Sequence, residues 1–391
     1  ALPIWARTGS IGPGPFHMLS IWESEHFHPQ PDIVVIGGGI VGLFTALFHK
    51  RRHPDHSVVV LERGAHPIGA SVKNAGFACF GSPSELLADM DKEGEDAMLA
   101  RVEERWKGLL ELRSELGDSR IGFEATGGHE IYPWHTKGYT AVADRFNALN
   151  DSLRPIFGEQ VFVQDDEAIT RFGLTGVGHL VRTRLEGPLD SGRLMSTLLR
   201  KVVAEGVLFR PLTEVTGLEE TPRGVSLSTK GGQPIRTAMV AICTNGYTRE
   251  LMPDLPVAPA RGQVLKTFPV PGLKLRGTFH YDEGYFYFRD HAGGVLLGGG
   301  RNLDLIGETT TEEGSTELIQ DALEHLLRTV ILPGQPFKIE RRWSGIMGMC
   351  PAKSPIIERR SERIVVAAGL GGMGVAIGIR VARRAAALLD Q

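Results

Sequence analysis

The sequence predicts an α/β fold, because short apolar runs with strand character alternate with helix patterns. Residues 33–36 are β-branched and lead directly into a glycine-rich turn, which an apolar helix pattern follows. A second apolar run covers residues 57–61, and a third, at 364–368, again precedes glycines and an alanine-rich helix pattern. Strands and helices that alternate in this way build a parallel, Rossmann-like sheet with helices on its faces.

The composition narrows the class of protein further. The 391 residues are 42% hydrophobic and 23% charged, as in a folded chain, and this length favours two domains. The net charge of −3 gives no general attraction to nucleic acid or anionic lipid. The only candidate membrane span, residues 33–48, is shorter than the roughly 18–20 residues required. Three distant cysteines without a CxxC pair favour a reducing, cytoplasmic location.

Histidines are frequent near the beginning of the chain, but their spacings match no metal-binding pattern that we can name. We therefore predict no metal site. The residues interpreted in this way as surface histidines are His17, His26, His28, His49, His53, His56 and His66.

The first strand, turn, helix and second strand form a complete βαβ unit. In this unit Gly37 permits the tight turn, Gly39 lets the backbone approach a pyrophosphate, and Gly42 allows the helix to pack closely on the strand. The Glu62 carboxylate, 20 residues after Gly42, is placed to accept hydrogen bonds from ribose hydroxyls. A plain glycine turn is the alternative, but the complete unit favours dinucleotide binding.

Four blocks carry a resemblance to a known family: residues 36–42 with Glu62-Arg63, residues 69–77, residues 185–190 before a helix pattern, and residues 366–375. Together they make the chain resemble the D-amino acid oxidase-like family of FAD-dependent oxidoreductases, which includes glycine oxidase and sarcosine oxidase. The resemblance covers most of the chain and implies FAD as the cofactor. Covalent attachment is not expected, because Cys350 lies several residues beyond the attachment region of some relatives.

The resemblance also implies which residues contact FAD. The helix that begins after the last glycine loop can stabilise negative charge on the reduced flavin through its N-terminal amides. A close helix–strand crossing is the alternative reason for those glycines. The cofactor residues implied are Gly37, Gly39, Gly42, Glu62, Arg63, Ala70, Ser71, Lys73, Asn74, Ala75, Gly76, Phe77, Val215, Thr244, Asn245, Gly246, Gly345, Gly371, Gly372, Met373, Gly374 and Val375.

A hairpin is predicted between residues 282 and 302, with its turn around Gly293-Gly294. The period of two places Tyr285, Tyr287 and Arg289 on one face. In the family such a sheet covers the flavin ring, so this face is a candidate substrate site with Arg289 as an anchor for an anionic group. A solvated arginine beside a turn is the alternative.

The chain departs from the family at positions that bear on chemistry. Met347 stands where many amino acid oxidases have a substrate-binding arginine, and Leu296 and Ala376 stand where sarcosine oxidases have lysines. These departures question a simple α-amino acid as substrate and oxygen as acceptor, unless Arg289, Arg301 or Lys73 supplies the missing charge. A quinone or another redox partner is the alternative acceptor. His129 is a candidate base, although a structural histidine is the alternative.

We expect a discontinuous FAD-binding domain formed by residues 31–105, 177–260 and 340–391. Residues 106–176 and 261–339 are expected to form an α+β substrate domain on a mixed or antiparallel sheet, and residues 1–30 an extended arm. The predicted reaction oxidises the carbon–nitrogen bond of an amine or amino acid by hydride transfer to flavin N5, and water hydrolyses the imine. The alternatives are a 2-hydroxy acid dehydrogenase and an electron-transfer flavoprotein without its own small substrate.

Overall fold

A computed structural model describes residues 20–26, 30–134 and 137–390, without the side chains of residues 24–26 and 137. Most of the predicted N-terminal arm lies outside these residues. Its described part includes a short helix, α1 (Ile21–His26), where the sequence predicted an extended chain.

Six strands form the first sheet: β1 (Ile33–Ile36), β2 (Val58–Leu61), β8 (Leu208–Arg210), β12 (Met239–Ile242), β18 (Ile356–Arg359) and β19 (Ile364–Ala368). Their order is β18-β19-β12-β1-β2-β8, and each neighbouring pair is parallel except β18 with β19. This is the predicted Rossmann-like sheet. The carboxyl ends of its parallel strands meet at one edge, which brings together the turns after β1, β2, β12 and β19.

Helices cover one face of this sheet, and a smaller antiparallel sheet covers the other. The helices are α2 (Ile40–Arg52), α5 (Glu95–Leu116), α9 (Ser191–Ala204) and α11 (Gly374–Leu388). The smaller sheet contains β9 (Val215–Thr221), β10 (Gly224–Thr229) and β11 (Ile235–Thr237). As its position predicts, Asp190 caps α9 by accepting a 2.9 Å hydrogen bond from the Arg193 amide.

The second large sheet has eight strands in the order β17-β13-β16-β15-β14-β4-β6-β5. It is mixed, because β4 and β14 are parallel while the other neighbours are antiparallel. The strands are β4 (Gly128–Pro133), β5 (Val163–Gln164), β6 (Val177–Thr183), β13 (Ala258–Thr267), β14 (Thr278–Tyr281), β15 (Phe286–His291), β16 (Gly294–Gly299) and β17 (Ile339–Met349).

The remaining elements pack around the two sheets. One face of the eight-stranded sheet packs against α10 (Glu317–Leu326) and the π-helical turn after it. The helices α4 (Pro83–Glu93), α5 and α7 (Lys137–Phe157) share a separate core. Among the described residues, no helix combines the length and apolar character needed to cross a membrane. The shorter elements are α3 (Ala70–Lys73), α4 (Pro83–Glu93), α6 (Asp118–Ile121), α7 (Lys137–Phe157), α8 (Glu167–Phe172), β3 (Phe77–Ala78), β7 (Gly187–Pro188) and the 3₁₀ turns Asn245–Glu250 and Arg301–Leu303.

The predicted hairpin is present with small shifts. Its turn lies at Ala292-Gly293, where φ is 50° and 75°, so the two central residues adopt the left-handed conformation of a tight hairpin turn. Tyr285 precedes β15 instead of lying in it, and its side chain is 41% exposed.

The strands and helices also correct the expected bounds of the FAD-binding domain and the substrate domain. β6 pairs with β4 in the eight-stranded sheet, so residues 177–183 do not begin the return to the FAD-binding part. β17 pairs along its length with β13, so residues 340–349 also belong to this sheet. Residues 106–116 continue α5, whose Leu109 and Leu112 pack in the core of the nucleotide-binding part.

Candidate active site

The glycine turn after β1 leaves no room for side chains. Gly37 has φ 106°, and a Cβ added there would lie 2.7 Å from the Cys243 carbonyl oxygen. A Cβ on Gly42 would lie 1.9 Å from the Gly37 oxygen, and one on Gly39 would lie 3.0 Å from Ser71 Oγ. Glycine is therefore required for the turn and for close packing of α2, as the sequence predicted.

A cleft of about 1250 Å³, including the space directly in front of it, lies at the carboxyl edge of the six-stranded sheet. Its lining runs from the glycine turn after β1 past the end of β2 to the last glycine loop, which suits an extended dinucleotide. The predicted residues that line it are Gly37, Gly39, Glu62, Arg63, Ala70, Ser71, Asn74, Val215, Thr244, Asn245, Met347, Gly371, Gly372, Gly374 and Val375.

Glu62 is fixed at the end of β2 inside this cleft. Its side chain is 6% exposed, and its two carboxylate oxygens accept hydrogen bonds from the amides of Gly38 at 3.0 Å and Gly64 at 2.9 Å. Each oxygen has further acceptor capacity, which suits ribose hydroxyls. Next to it, the Arg63 guanidinium lies 3.7 Å from the centre of the Tyr247 ring, another residue of the cleft wall.

The second small-residue segment folds over the beginning of α2. Ser71 Oγ accepts a 3.0 Å hydrogen bond from the Ile40 amide. Asn74 organises the segment itself, because its Nδ2 donates to the carbonyls of Ala70 and Ser71 while its Oδ1 accepts from the amide of Gly76 at 2.9 Å. The segment is therefore held in one shape before any ligand binds.

Eight of the predicted cofactor residues lie outside the lining of the cleft. Some of them pack one loop on another: a Cβ on Gly345 would lie 2.9 Å from Lys73 Cβ, and Trp343 Nε1 donates to the Lys73 carbonyl at 2.9 Å. The Lys73 ammonium forms an ion pair with Glu313. The eight residues are Gly42, Lys73, Ala75, Gly76, Phe77, Gly246, Gly345 and Met373.

The last glycine loop is held by Asn245. This residue has φ 46°, and its Oδ1 accepts hydrogen bonds from the amides of Gly369 at 3.0 Å and Leu370 at 3.3 Å. The loop leads into α11, whose first residues line the cleft. The positive end of a second helix, besides α2, therefore faces the same cleft.

One face of the eight-stranded sheet lies against the loop that ends in Phe77. His280, Tyr287 and Gly298 occupy directly opposite positions on β14, β15 and β16, so they share this face. The Phe77 ring lies 5.3 Å from the His280 ring and 5.7 Å from the Tyr287 ring, both edge to face. A Cβ on Gly298 would lie 2.6 Å from the Tyr287 ring, so this glycine makes room for the tyrosine.

Both polar side chains on this face are uncharged at neutral pH. Burial raises the pKa of Tyr287 to about 12, and burial lowers the pKa of His280 to about 4. His280 is 8% exposed, and among the described residues its Nε2 has no hydrogen-bond partner. Sequence reasoning identified Tyr287 but missed His280, although the alternation in residues 278–281 places it beside Tyr287 once the two strands pair.

Arg289 differs from the solvated arginine that was the alternative interpretation of the sequence. It is 8% exposed, so it is not a solvated residue beside a turn. Its Nη1 donates to the carbonyls of Gly76 at 3.0 Å and Leu189 at 2.7 Å, and its Nε donates to the Asp290 carbonyl at 3.0 Å. The side chain therefore ties the end of the second small-residue segment to the eight-stranded sheet.

His129 also lies elsewhere than a catalytic base requires. Its ring stacks on Phe279 with 4.5 Å between centres, on the opposite face of the sheet from His280. Its Nδ1 lies 3.1 Å from the Thr278 carbonyl oxygen, and burial lowers its pKa to about 4. These contacts fit a structural histidine, which was the alternative to a catalytic base.

Two buried carboxyl groups contact residues 80–84, the segment that follows Phe77. Glu186 accepts a 2.8 Å hydrogen bond from the Phe80 amide, and burial raises its pKa to about 8. Glu130 accepts hydrogen bonds from the Ser84 amide and the Ser82 hydroxyl, both at 3.0 Å, and burial raises its pKa as well. Neither residue was identified from the sequence, because their burial arises from tertiary packing.

The βαβ cleft, the fixed Glu62 carboxylate and the sheet that faces the second loop define a dinucleotide-dependent oxidoreductase. The chain belongs to the D-amino acid oxidase-like family of FAD-dependent oxidoreductases, described as "FAD dependent oxidoreductase", whose family model matches residues 32–388. The cofactor of this family is FAD, and the glycine turn, Glu62 and the two helix N-termini fit it. The family predicted from the sequence is confirmed.

Known proteins with related sequences or structures extend this comparison. The chain is 25% identical over 354 residues to sarcosine oxidase subunit beta of Rhizobium meliloti (strain 1021), covering 86% of this chain and 79% of that protein. The fold resembles L-proline dehydrogenase from P. horikoshii, with a TM-score of 0.73, 20% identity and coverage of 92% and 93% of the two chains. Glycine oxidase from Geobacillus kaustophilus gives a TM-score of 0.72, 21% identity and coverage of 92% and 94%.

Proposed function

We propose that the protein oxidises the carbon–nitrogen bond of an amine or amino acid, with release of an imine that water hydrolyses. The family supports an FAD-dependent oxidoreductase, and the three related proteins named above are two oxidases and a dehydrogenase of such substrates. FAD, held by the residues that line the cleft, would supply the chemistry when bound, as the acceptor of a hydride from the substrate α-carbon.

The observation that carries this proposal is the uncharged polar pair His280 and Tyr287 opposite Phe77. A hydride leaves the α-carbon readily when the nitrogen lone pair is free, so the amine must bind in its neutral form. Side chains that are themselves uncharged can hydrogen-bond a neutral amine and orient it without stabilising the ammonium form. Orientation of the reacting carbon then becomes the main contribution of these residues.

The charged residues near this face favour a substrate without a free α-carboxylate. Position 347 is methionine, Arg289 donates to the carbonyls of Gly76 and Leu189, and Lys73 is paired with Glu313. Met347 supplies no charge, Lys73 is neutralised by Glu313, and the described hydrogen bonds of Arg289 hold loops together. Arg301, whose Nε has no hydrogen-bond partner among the described residues, is the remaining cation for a carboxylated substrate. We therefore assign an amine or N-substituted amine as the preferred substrate, with simple α-amino acids as the competing class.

The electron acceptor is proposed to be a quinone or redox partner instead of oxygen. Leu296 is buried in an apolar cluster with Ala75 and Val264, and Ala376 is buried at the start of α11. Neither position carries the lysine that sarcosine oxidases have there. FAD is proposed to be held without a covalent bond, because Cys350 packs beneath Gly369, where an added Cβ would lie 2.1 Å from its Sγ.

Anaerobic mixing tests these assignments. The purified holoenzyme is mixed with D- and L-amino acids, N-methyl amines and polyamines, and the visible flavin absorbance is followed. Amines should bleach the flavin, and the bleached protein should reoxidise faster with a soluble quinone than with air. Bleaching by α-amino acids alone would overturn the amine assignment, and bleaching only by a 2-hydroxy acid would overturn carbon–nitrogen oxidation. Reduction by a partner protein alone would indicate an electron-transfer flavoprotein.

A further inference from the structure

The last turn of α2 and the end of the chain bring two histidines and an aspartate together, far from the FAD cleft. His49 lies in the last turn of α2, His53 is the residue directly after this helix, and Asp390 lies two residues past the end of α11. One ligand-type atom from each of the three residues lies within 4.8 Å of the others.

The distances among these atoms suit the coordination sphere of a small divalent ion. His49 Nδ1 lies 3.3 Å from Asp390 Oδ1, and His53 Nε2 lies 2.9 Å from the same oxygen. Nitrogen and oxygen ligands of zinc lie about 2.0–2.2 Å from the metal, which places tetrahedral ligands about 3.3 Å from one another. A small adjustment of Asp390 would accommodate the ion.

His49 provides the second, independent observation. It is 1% exposed, and among the described residues its Nδ1 has no hydrogen-bond partner, although this atom faces Asp390. Its Nε2 lies 3.0 Å from His56 Nδ1, a contact that can fix the tautomer in which Nδ1 is unprotonated.

The charges around the cluster direct one carboxylate oxygen of Asp390 toward the two histidines. Arg52 Nε pairs with Asp390 Oδ2 at 2.6 Å, whereas Oδ1 faces the two histidines. Lys50 lies nearby but donates to the carbonyls of Pro54 and His56. Arg52 thus orients the carboxylate in the manner of an outer-shell partner, while its positive charge moderates the affinity for a cation.

We infer that His49, His53 and Asp390 form a binding site for a divalent transition metal of the zinc type, with water completing the coordination. Three protein ligands of mixed imidazole and carboxylate character are suited to zinc. The site would join the ends of α2 and α11, whose other ends both line the FAD cleft. α2 is about 20 Å long, so the metal would brace the two helices without contacting the flavin.

Zinc titration of the FAD-loaded full chain tests this inference, with binding measured by calorimetry and the midpoint of thermal unfolding followed in parallel. One high-affinity equivalent should bind to the unsubstituted protein and raise the unfolding temperature. The variant His53→Gln should bind zinc at least about tenfold more weakly and lose most of the thermal shift. His53 is partly exposed, so this substitution is tolerated more readily than one at the buried His49.

His325→Gln is the matched control, because His325 is an exposed histidine on α10. It should bind zinc as the unsubstituted protein does. Equal affinity of the unsubstituted protein and His53→Gln would show that other histidines bind the zinc and would overturn the inference. Absence of binding to the unsubstituted protein would overturn it as well.

Discussion

At the scale of single residues, the polar face opposite Phe77 depends on two side chains with unusual environments. The His280 ring is buried, the Tyr287 side chain is partly buried, and the two side chains are neutral and adjacent on neighbouring strands. Buried polar groups without protein partners are costly, so such groups commonly mark a place where a ligand supplies the missing hydrogen bond. His280 is such a group, and no sequence motif indicates it.

Tyr287→Phe should lower kcat/KM for the amine substrate by about tenfold to a hundredfold, because one hydrogen bond that orients the substrate is lost. The flavin spectrum and FAD content should not change. Steady-state kinetics with the best substrate of the anaerobic screen measure the effect. Tyr281→Phe is the matched control, since Tyr281 packs on the other face of the sheet. Equal losses in both variants would contradict a substrate-binding role.

At the scale of elements, the FAD cleft is formed by loops that brace one another. Asn245 holds the last glycine loop through the amides of Gly369 and Leu370, and Arg289 reaches from β15 to the carbonyls of Gly76 and Leu189. The sheet of the second part thereby fixes a loop of the first. Hydrogen bonds across elements of this kind position loops that propensity alone leaves free.

Arg289→Lys should weaken FAD retention by about tenfold or more, because one ammonium cannot reproduce the fork of donors to main-chain carbonyls. Gel filtration in dilute solution followed by measurement of bound FAD tests this. Arg276→Lys, which alters an exposed ion pair with Glu124, should retain FAD normally. If Arg289 anchored a substrate carboxylate instead, KM for carboxylated substrates would rise while FAD retention stayed unchanged.

At the scale of the whole molecule, buried carboxyl groups couple stability to pH. The pKa of Glu186 in the folded chain is about 8, against 4.5 for the unperturbed group. Below pH 4.5 the group is protonated in both states, and the shift contributes nothing. Between about pH 4.5 and pH 8 the unfolded chain has released a proton that the folded chain keeps, so the free energy of unfolding falls as pH rises.

Glu186→Gln should therefore become more stable relative to the unsubstituted protein as pH rises from 5 to about 8. Glutamine retains the acceptor for the Phe80 amide and cannot ionise. Thermal unfolding at several pH values measures the difference, which should be small at pH 5 and largest near pH 8. Glu340→Gln, a substitution of an acidic residue in an ion pair with Lys266, should show no such increase. A difference that did not depend on pH would contradict the raised pKa.

Much of the nucleotide-binding half could be predicted from local sequence. The turn glycines, the strand before them and the acid after β2 act within one βαβ unit, where spacing along the chain determines spacing in space. The division expected from the sequence did not assign β6 and β17 to the eight-stranded sheet, because in sequence these strands resemble strands of either sheet. Only their pairing with β4 and β13 decides where they belong.

The sequence by itself determined the family, the FAD cleft and the central hairpin, because each depends on residues close together in the chain. The tertiary structure decided the features that depend on contacts between residues far apart in the chain. It placed Arg289 on main-chain carbonyls, His280 beside Tyr287, and Asp390 beside His49, which is 341 positions earlier in the chain. The charge, burial and hydrogen-bond partners of a side chain depend on the residues that surround it in the folded chain. The roles of these side chains could therefore be inferred only from the tertiary structure.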